Sequence, residues 1–322
     1  MEQVRLGSSG LKVSRIALGC MSFGIRDRGG HQWVMNEDDA QDYFRQAVEL
    51  GITFWDTANV YSGGSSEEIT GRAVKRFANR EQIVLATKVN GRMHDGPGGA
   101  GLSRKAVLEQ IDASLTRLGT DYIDLYQIHR FDPQTPVEET MGALHDVVRA
   151  GKARYIGASS MYAWQFSKMQ YTARLNGLTP FISMQDQYNL IQREEEREMF
   201  GLCADQGVGV IPWSPLARGK LARPWGEGTE RDGSDHMMRI YSEADQPVVD
   251  ALQQVAADRG VPMAQVALAW VLRNPVVTAP IVGATKPHHL SDAVAALGVE
   301  LTDDEVERLT APYTPHLPAA FQ

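Results

Sequence analysis

The stretch VEETMGALHDVVRAGKARYIGASS, residues 137–160, sets the architecture. A helical pattern runs to Gly151, and a short apolar run follows it. Glycine just past a helix takes the left-handed conformation that closes the last turn at low cost. The same order recurs along the chain. DDAQDYFRQAVELG stops at Gly51 before ITFWDTA, and RKAVLEQIDASLTRLG stops at Gly119 before YIDLYQIH. EEEREMFGLCADQG stops at Gly207 before VGVIPWS. The helical segments are amphipathic, with Val107, Ile111, Leu115 and Leu118 on one face. The apolar runs are short, β-branched and mostly without alternation. Parallel strands buried on both faces read this way.

Eight such strands are predicted, at 14–19, 53–57, 83–88, 123–129, 154–159, 181–186, 208–213 and 279–283, with helices between them. Eight strand–helix units fit a (β/α)8 TIM barrel, one domain spanning 1–322. A doubly wound open sheet is the alternative, and the lack of GxGxxG after the first strand weighs against it. Three segments break the rhythm. Residues 3–13 read as a β-hairpin, with Ser-Ser-Gly at its turn, that plugs the barrel bottom. Residues 217–245 form a long Gly-rich polar loop of the kind that is usually functional. The proline-rich tail, 311–322, is expected to lie extended over the barrel mouth.

Charge and composition narrow the partners. The formal net charge is −8, from 32 Lys and Arg against 40 Asp and Glu. No basic block is present, and proteins that track nucleic-acid backbones normally carry one. A small-molecule partner is expected, with no nucleic acid, and the protein itself as a monomer or weak homo-oligomer. No run of about 20 apolar residues marks a membrane span. MEQVRLGSSG lacks the apolar core of a signal peptide, so a cytoplasmic protein is expected. Cys20 and Cys203 read as buried core thiols. His94, His145, His236, His288 and His316 are scattered without zinc spacing, so no metal is expected. GPGGAG at 96–101 lacks the Lys-Ser/Thr of a phosphate loop, and the run REEEREM at 193–199 reads as a solvated helix face.

Barrel enzymes carry their chemistry at the C-terminal strand ends. Strand two delivers Asp56 there, with Tyr61 in the loop that follows. Strand three delivers Lys88, and strand four His129. Asp56 and Lys88 emerge from apolar runs, where a charge needs a partner. A structural ion pair accounts for those two alone; Tyr61 and His129 at the same rim add chemistry. A phenol's reference pKa near 10 is too high for easy proton donation at neutral pH, and a nearby ammonium stabilises the phenolate. The carboxylate holds the lysine in place, and the histidine orients a carbonyl. The set is a general acid suited to protonating an oxygen whose carbon gains a hydride.

Together with that chemistry, GITFWDTANVYSGGSSEEITGRAV at 51–74, ATKV at 86–89, IDLYQIH at 123–129, GKARYIGASS at 151–160, WSPLARGKL at 213–221 and GATKPHHLSDAVAAL at 283–297 resemble the aldo-keto reductases. The tail LTAPYTPH resembles a bacterial and fungal branch of broad-specificity reductases in that family. The resemblance implies NADPH-dependent reduction of aldehydes or ketones, with NADPH extended across the barrel mouth and no Rossmann domain. It implies Tyr61 as proton donor, Lys88 and Asp56 tuning it, and His129 orienting the carbonyl. Ser159, Ser160 and Gln185 are expected at the carboxamide, although the family usually has Asn where Ser160 stands. Trp213 is expected to stack on the nicotinamide, with Ser214, Leu216 and Gly219 at the pyrophosphate. Gly283, Thr285, Lys286, His289 and Asp292 are expected around the 2′-phosphate and adenine, Lys286 and His289 favouring NADPH. Met21, Trp33, Phe131, Tyr188 and Tyr313 are candidates for the substrate pocket. Two other activities fit parts of the pattern: a non-catalytic NADP(H)-binding regulatory subunit, and an aldolase forming a Schiff base at Lys88.

Overall fold

A computed structural model describes residues 1–29, 32–228 and 233–317. An antiparallel hairpin, β1 (Gln3–Arg5) and β2 (Lys12–Ser14), opens the chain. Eight strands follow: β3 (Ala17–Gly19), β4 (Phe54–Asp56), β5 (Val84–Val89), β6 (Ile123–Ile128), β7 (Ala153–Ser159), β8 (Ser183–Gln185), β9 (Gly209–Val210) and β10 (Ile281–Gly283). They form one parallel, curled sheet in the order β10-β3-β4-β5-β6-β7-β8-β9. Each lies within its predicted span or within a residue of it. β9 is short because Pro212 has no N–H for the ladder. The segment entering β10 bonds back to β9 and beyond: Val210 N to Val276 O (3.1 Å), Thr278 N to Val210 O (2.7 Å) and Ile281 N to Pro212 O (2.9 Å).

Helices cover the outer face, among them Ser65–Phe77, Arg104–Leu118, Val137–Arg149 and Met263–Arg273. Gly119 (φ 60°) and Gly207 (φ 66°) close helices in the left-handed conformation that the sequence pattern required.

Two apolar layers result. The larger lies between sheet and helices. The smaller is inside the curl, where Ala17, Phe54, Ala86, Leu125 and Ile211 point inward. Leu6 and Val13 of the hairpin pack on that group and seal its lower end, as expected of a plug. Strand alternation then sets what comes next. Two residues beyond Phe54, Ala86 and Leu125 stand Asp56, Lys88 and Gln127, on the same inner side and nearer the C-terminal rim. The interior therefore changes from apolar to ionic along its axis. Cys20 and Cys203 are buried free thiols.

The tail differs in part from expectation. Its described residues lie against the chain after β8 rather than over the cleft: Tyr313 Oη donates to Glu194 Oε1 (2.7 Å), and His316 N donates to the same oxygen (3.1 Å). Residues 318–322 of that tail lie outside the described residues, as do 229–232 of the long loop. The glutamate run is a solvated face only in part: Glu196, Arg197 and Glu198 are exposed. Glu195 is 5% exposed, and Glu196 accepts from Tyr188 Oη at 2.6 Å.

Candidate active site

Lys88 is fully buried and Asp56 is 2% exposed. Lys88 Nζ donates to Asp56 Oδ2 at 2.5 Å, to the carbonyl of Thr57 at 2.8 Å and to Tyr61 Oη at 3.3 Å. Burial works against the lysine's charge, but Asp56 and Tyr61 together outweigh it, and its pKa lies above the ordinary lysine value. The other carboxylate oxygen, Asp56 Oδ1, accepts from Gln127 Nε2 (2.9 Å) and Gln185 Nε2 (3.0 Å). Three strands thus fix one carboxylate, and the carboxylate fixes the lysine.

Tyr61 opens a tight turn, Tyr61–Gly64, just beyond β4. The chain reaches it alongside β5, with Thr57 N bonded to Ala86 O (2.9 Å) and Asn59 N to Lys88 O (3.2 Å). His129 meets the Tyr61 ring edge-on, centroids 5.6 Å apart. Burial, and then the charges of Lys88 and Arg130, hold its pKa well below the usual histidine value. His129 is therefore neutral at pH 7, with one ring nitrogen free to donate and one to accept.

These groups form the floor of a cleft of about 700 Å³. Asp56, Tyr61, His129, Ser159, Gln185 and Trp213 line one part, and Gly283, Thr285, Lys286, His289 and Asp292 another. Ser214, Leu216 and Gly219 line the loop between. Gly219 holds a φ of 99°, and a Cβ there would lie 2.5 Å from Arg223. The long loop is latched by an ion pair between Arg218 and Asp235.

The model of the aldo/keto reductase family matches residues 15–313. The chain belongs to the aldo/keto reductase family. It is 47% identical to versiconal hemiacetal acetate reductase of Aspergillus parasiticus, over 98% of both chains. It is 44% identical to an aldo-keto reductase of Metarhizium robertsii, over 98% of this chain and 92% of that one. An aldo-keto reductase of Alternaria alternata is also 44% identical, over 96% and 90% respectively. This aldo/keto reductase is thus an oxidoreductase of carbonyl compounds, in a family that generally uses NADP(H).

Some predicted site residues lie elsewhere in the reductase. Ser160 does not line the cleft. It adopts a φ of 47°, its N–H goes to Asp186 Oδ1 (2.8 Å), and its hydroxyl accepts from Trp213 Nε1 (3.1 Å). It braces Trp213 from behind. Tyr188 is 1% exposed, and its ring packs on Phe200 and Trp270 in the layer between sheet and helices. Phe131 packs edge-on against Trp164, outside the cleft lining. Tyr313 holds the tail instead. Met21 and Trp33 do line the cleft.

His289 is a different kind of group from the one expected. Burial, then the charges of His288 and Lys286, push its pKa down to about 4, so it is neutral at pH 7. The second cation at that end of the reductase's cleft is Arg223, which the sequence reading did not single out. Gln127, Arg130, Asp186 and Arg218 were missed as well. Among the described residues no helix is long and apolar enough to cross a membrane, and no metal-ligand cluster occurs.

Proposed function

We propose that this protein reduces aldehydes or ketones to alcohols with NADPH, and that Tyr61 donates the proton. The observation that carries the reading is the Lys88 ammonium, fixed by Asp56 and directed at Tyr61 Oη from 3.3 Å. When bound, the nicotinamide supplies the hydride to the carbonyl carbon. Tyr61 gives its proton to the carbonyl oxygen, and the adjacent ammonium stabilises the phenolate left behind. Asp56 keeps that ammonium charged. The neutral imidazole of His129 donates a hydrogen bond to the same oxygen and orients it. A Schiff-base role for Lys88 fares poorly here, since that nucleophile must be neutral and this lysine is held protonated.

The donor set suits the cofactor. Gln185 Nε2 is engaged by Asp56 and Gln127, which leaves its oxygen for a carboxamide N–H2. Ser159 and Trp213 would complete the nicotinamide site. Ser214, Leu216 and Gly219 would hold the pyrophosphate, joined by Arg218, whose Nε is buried without a hydrogen-bond partner among the described residues. Lys286 and Arg223 would meet the 2′-phosphate, with Gly283, Thr285, His289 and Asp292 around the adenosine. Met21 and Trp33 would face the substrate. We read the chain as one domain and the curled sheet as a closed barrel, supported by the bonds from 276–281 to β9 and Pro212.

Tyr61→Phe tests the assignment. General-acid catalysis contributes roughly 10²–10⁴-fold, so kcat should fall by about 10³ while NADPH binding, read by fluorescence, changes little. A Tyr61→Phe enzyme with normal kcat overturns it.

A further inference from the structure

Arg130 follows His129 directly and lines the cleft with it. Its backbone is pinned on both sides: His129 N donates to Val89 O (2.8 Å), and Asn90 Nδ2 donates to the Arg130 carbonyl (3.1 Å). In the guanidinium, Nη1 donates to the carbonyl of His129 at 2.6 Å. No ion pair to it occurs among the described residues, although it sits where burial disfavours its charge.

The other cations of the cleft are accounted for. Lys88 is paired with Asp56, and Arg218 with Asp235. Lys286 and Arg223 stand near His289. The phosphates of the cofactor match Arg218, Arg223 and Lys286, and its carboxamide is neutral. That leaves Arg130 as a permanent charge beside His129 and Tyr61, in a lining that also includes Val60, Met21, Trp33 and Trp213. The groups whose fields favour its charge are Tyr61 first and then Asp186, whose carboxyl lies behind Ser160 and outside the cleft lining. A guanidinium carries five N–H donors in a fixed fork that matches a carboxylate, and hydrogen bonds between charged partners are the strong ones.

We propose that Arg130 is a specificity-determining residue that receives a carboxylate of the substrate, so that the favoured substrates are carbonyl compounds bearing a carboxylate. The inference rests on the reductase reading above and names the substrate class for that same site. Hydride and proton still go to the carbonyl; the carboxylate only anchors the molecule beside Tyr61 and His129.

The test is kcat/KM with NADPH for 3- and 4-carboxybenzaldehyde, each against its methyl ester. The ester group withdraws electrons more strongly than the carboxylate, so a preference for the acid does not come from intrinsic reactivity. The wild type should prefer at least one acid over its ester by about 10- to 100-fold, the range of a hydrogen-bonded charge pair. Arg130→Met should bring that ratio to about one or below, and Arg130→Lys should keep part of it. The ratio is the readout, because a loss of fold or of general activity lowers both terms alike. No preference in the wild type overturns the inference, and so does a preference that survives in Arg130→Met. Weakened NADPH binding in Arg130→Met with an unchanged ratio makes Arg130 a cofactor contact and also overturns it. If the wild type reduces neither acids nor esters, the reductase reading has failed and the inference falls with it.

Discussion

Replacing Asp186 with Asn should make the protein more stable, and only above about pH 5. Asp186 is fully buried, and Glu195 beside it is 5% exposed. Asp186 Oδ1 accepts from Ser160 N at 2.8 Å, and the carboxyls of Asp186 and Glu195 are hydrogen-bonded to each other. Burial pushes Asp186 up to about 7, and burial with the neighbouring carboxyl pushes Glu195 well above the usual range. Two carboxyls in one dry site cannot both ionise at low cost, so the pair keeps a proton at neutral pH. The unfolded chain, with both groups near pH 4, does not. The folded state thus binds more protons than the unfolded state between about pH 4 and 7, and stability falls as pH rises through that window. A shift of about three units at 1.36 kcal/mol each sets a ceiling of about 4 kcal/mol, and relaxation of the interior reduces it to about 2 kcal/mol. Asn keeps the acceptor for Ser160 N and offers Nδ2–H to Glu195. Urea unfolding at pH 4.5 and pH 8 reads the difference. Asp186→Asn should match the wild type at pH 4.5 and exceed it by about 2 kcal/mol at pH 8. An equal difference at both pH values, or a less stable variant at pH 8, would refute the shared proton. It would point instead to Arg130 as the charge that lets both carboxyls ionise.

Two further outcomes test the cleft. Gln127→Leu removes one of two donors to Asp56 Oδ1, and a hydrogen bond to a charged group is worth about 1.5–3 kcal/mol. Steady-state kinetics should show kcat lower by about 10-fold or more with NADPH affinity nearly unchanged; an unchanged kcat would leave Gln185 sufficient by itself. At the other end, Lys286→Gln and Arg223→Gln should each raise the NADPH KM by about 10-fold and leave NADH alone, the size of one charge-assisted contact. His289→Gln should barely move that ratio at pH 7.5, because this histidine is already neutral, and a large drop in NADPH preference would show that phosphate binding protonates it.

The architecture was legible because its signals are local. A glycine after several of the helices and a short apolar run after it depend only on neighbouring residues, and the strands fell where those signals put them. The glutamate run misled for the opposite reason. Charges on a short helix normally face water, but here Glu195 is buried beside the carboxyl of Asp186, while Glu194 and Glu196 take hydrogen bonds from Tyr313 and Tyr188. Those partners lie from 8 to 119 residues away in the chain. No window of sequence contains them.

The site residues that were missed or misassigned divide along one physical rule. Successive side chains of a strand point to opposite faces, so residues an even number apart share a face. Asp56, Lys88, His129, Ser159 and Gln185 face inward at the rim. Gln127 lies two before His129 and therefore faces inward too, where it bonds Asp56. Ser160 and Tyr188 stand beyond the ends of β7 and β8; Ser160 turns off the strand at a φ of 47°, and Tyr188 packs in the outer layer. Alternation applied outward from the ion pair thus recovers one residue. It fails at Phe131, which shares parity with His129, because β6 ends at Ile128 and beyond it no ladder enforces the alternation. Arg130 stands in that same irregular stretch. Its presence in the cleft follows from the loop's own bonds, His129 N to Val89 and Asn90 to its carbonyl, rather than from strand periodicity. Chemistry on the strands is therefore readable from the sequence by counting. Side chains on the loops that leave them are not, and Arg130 belongs to those loops.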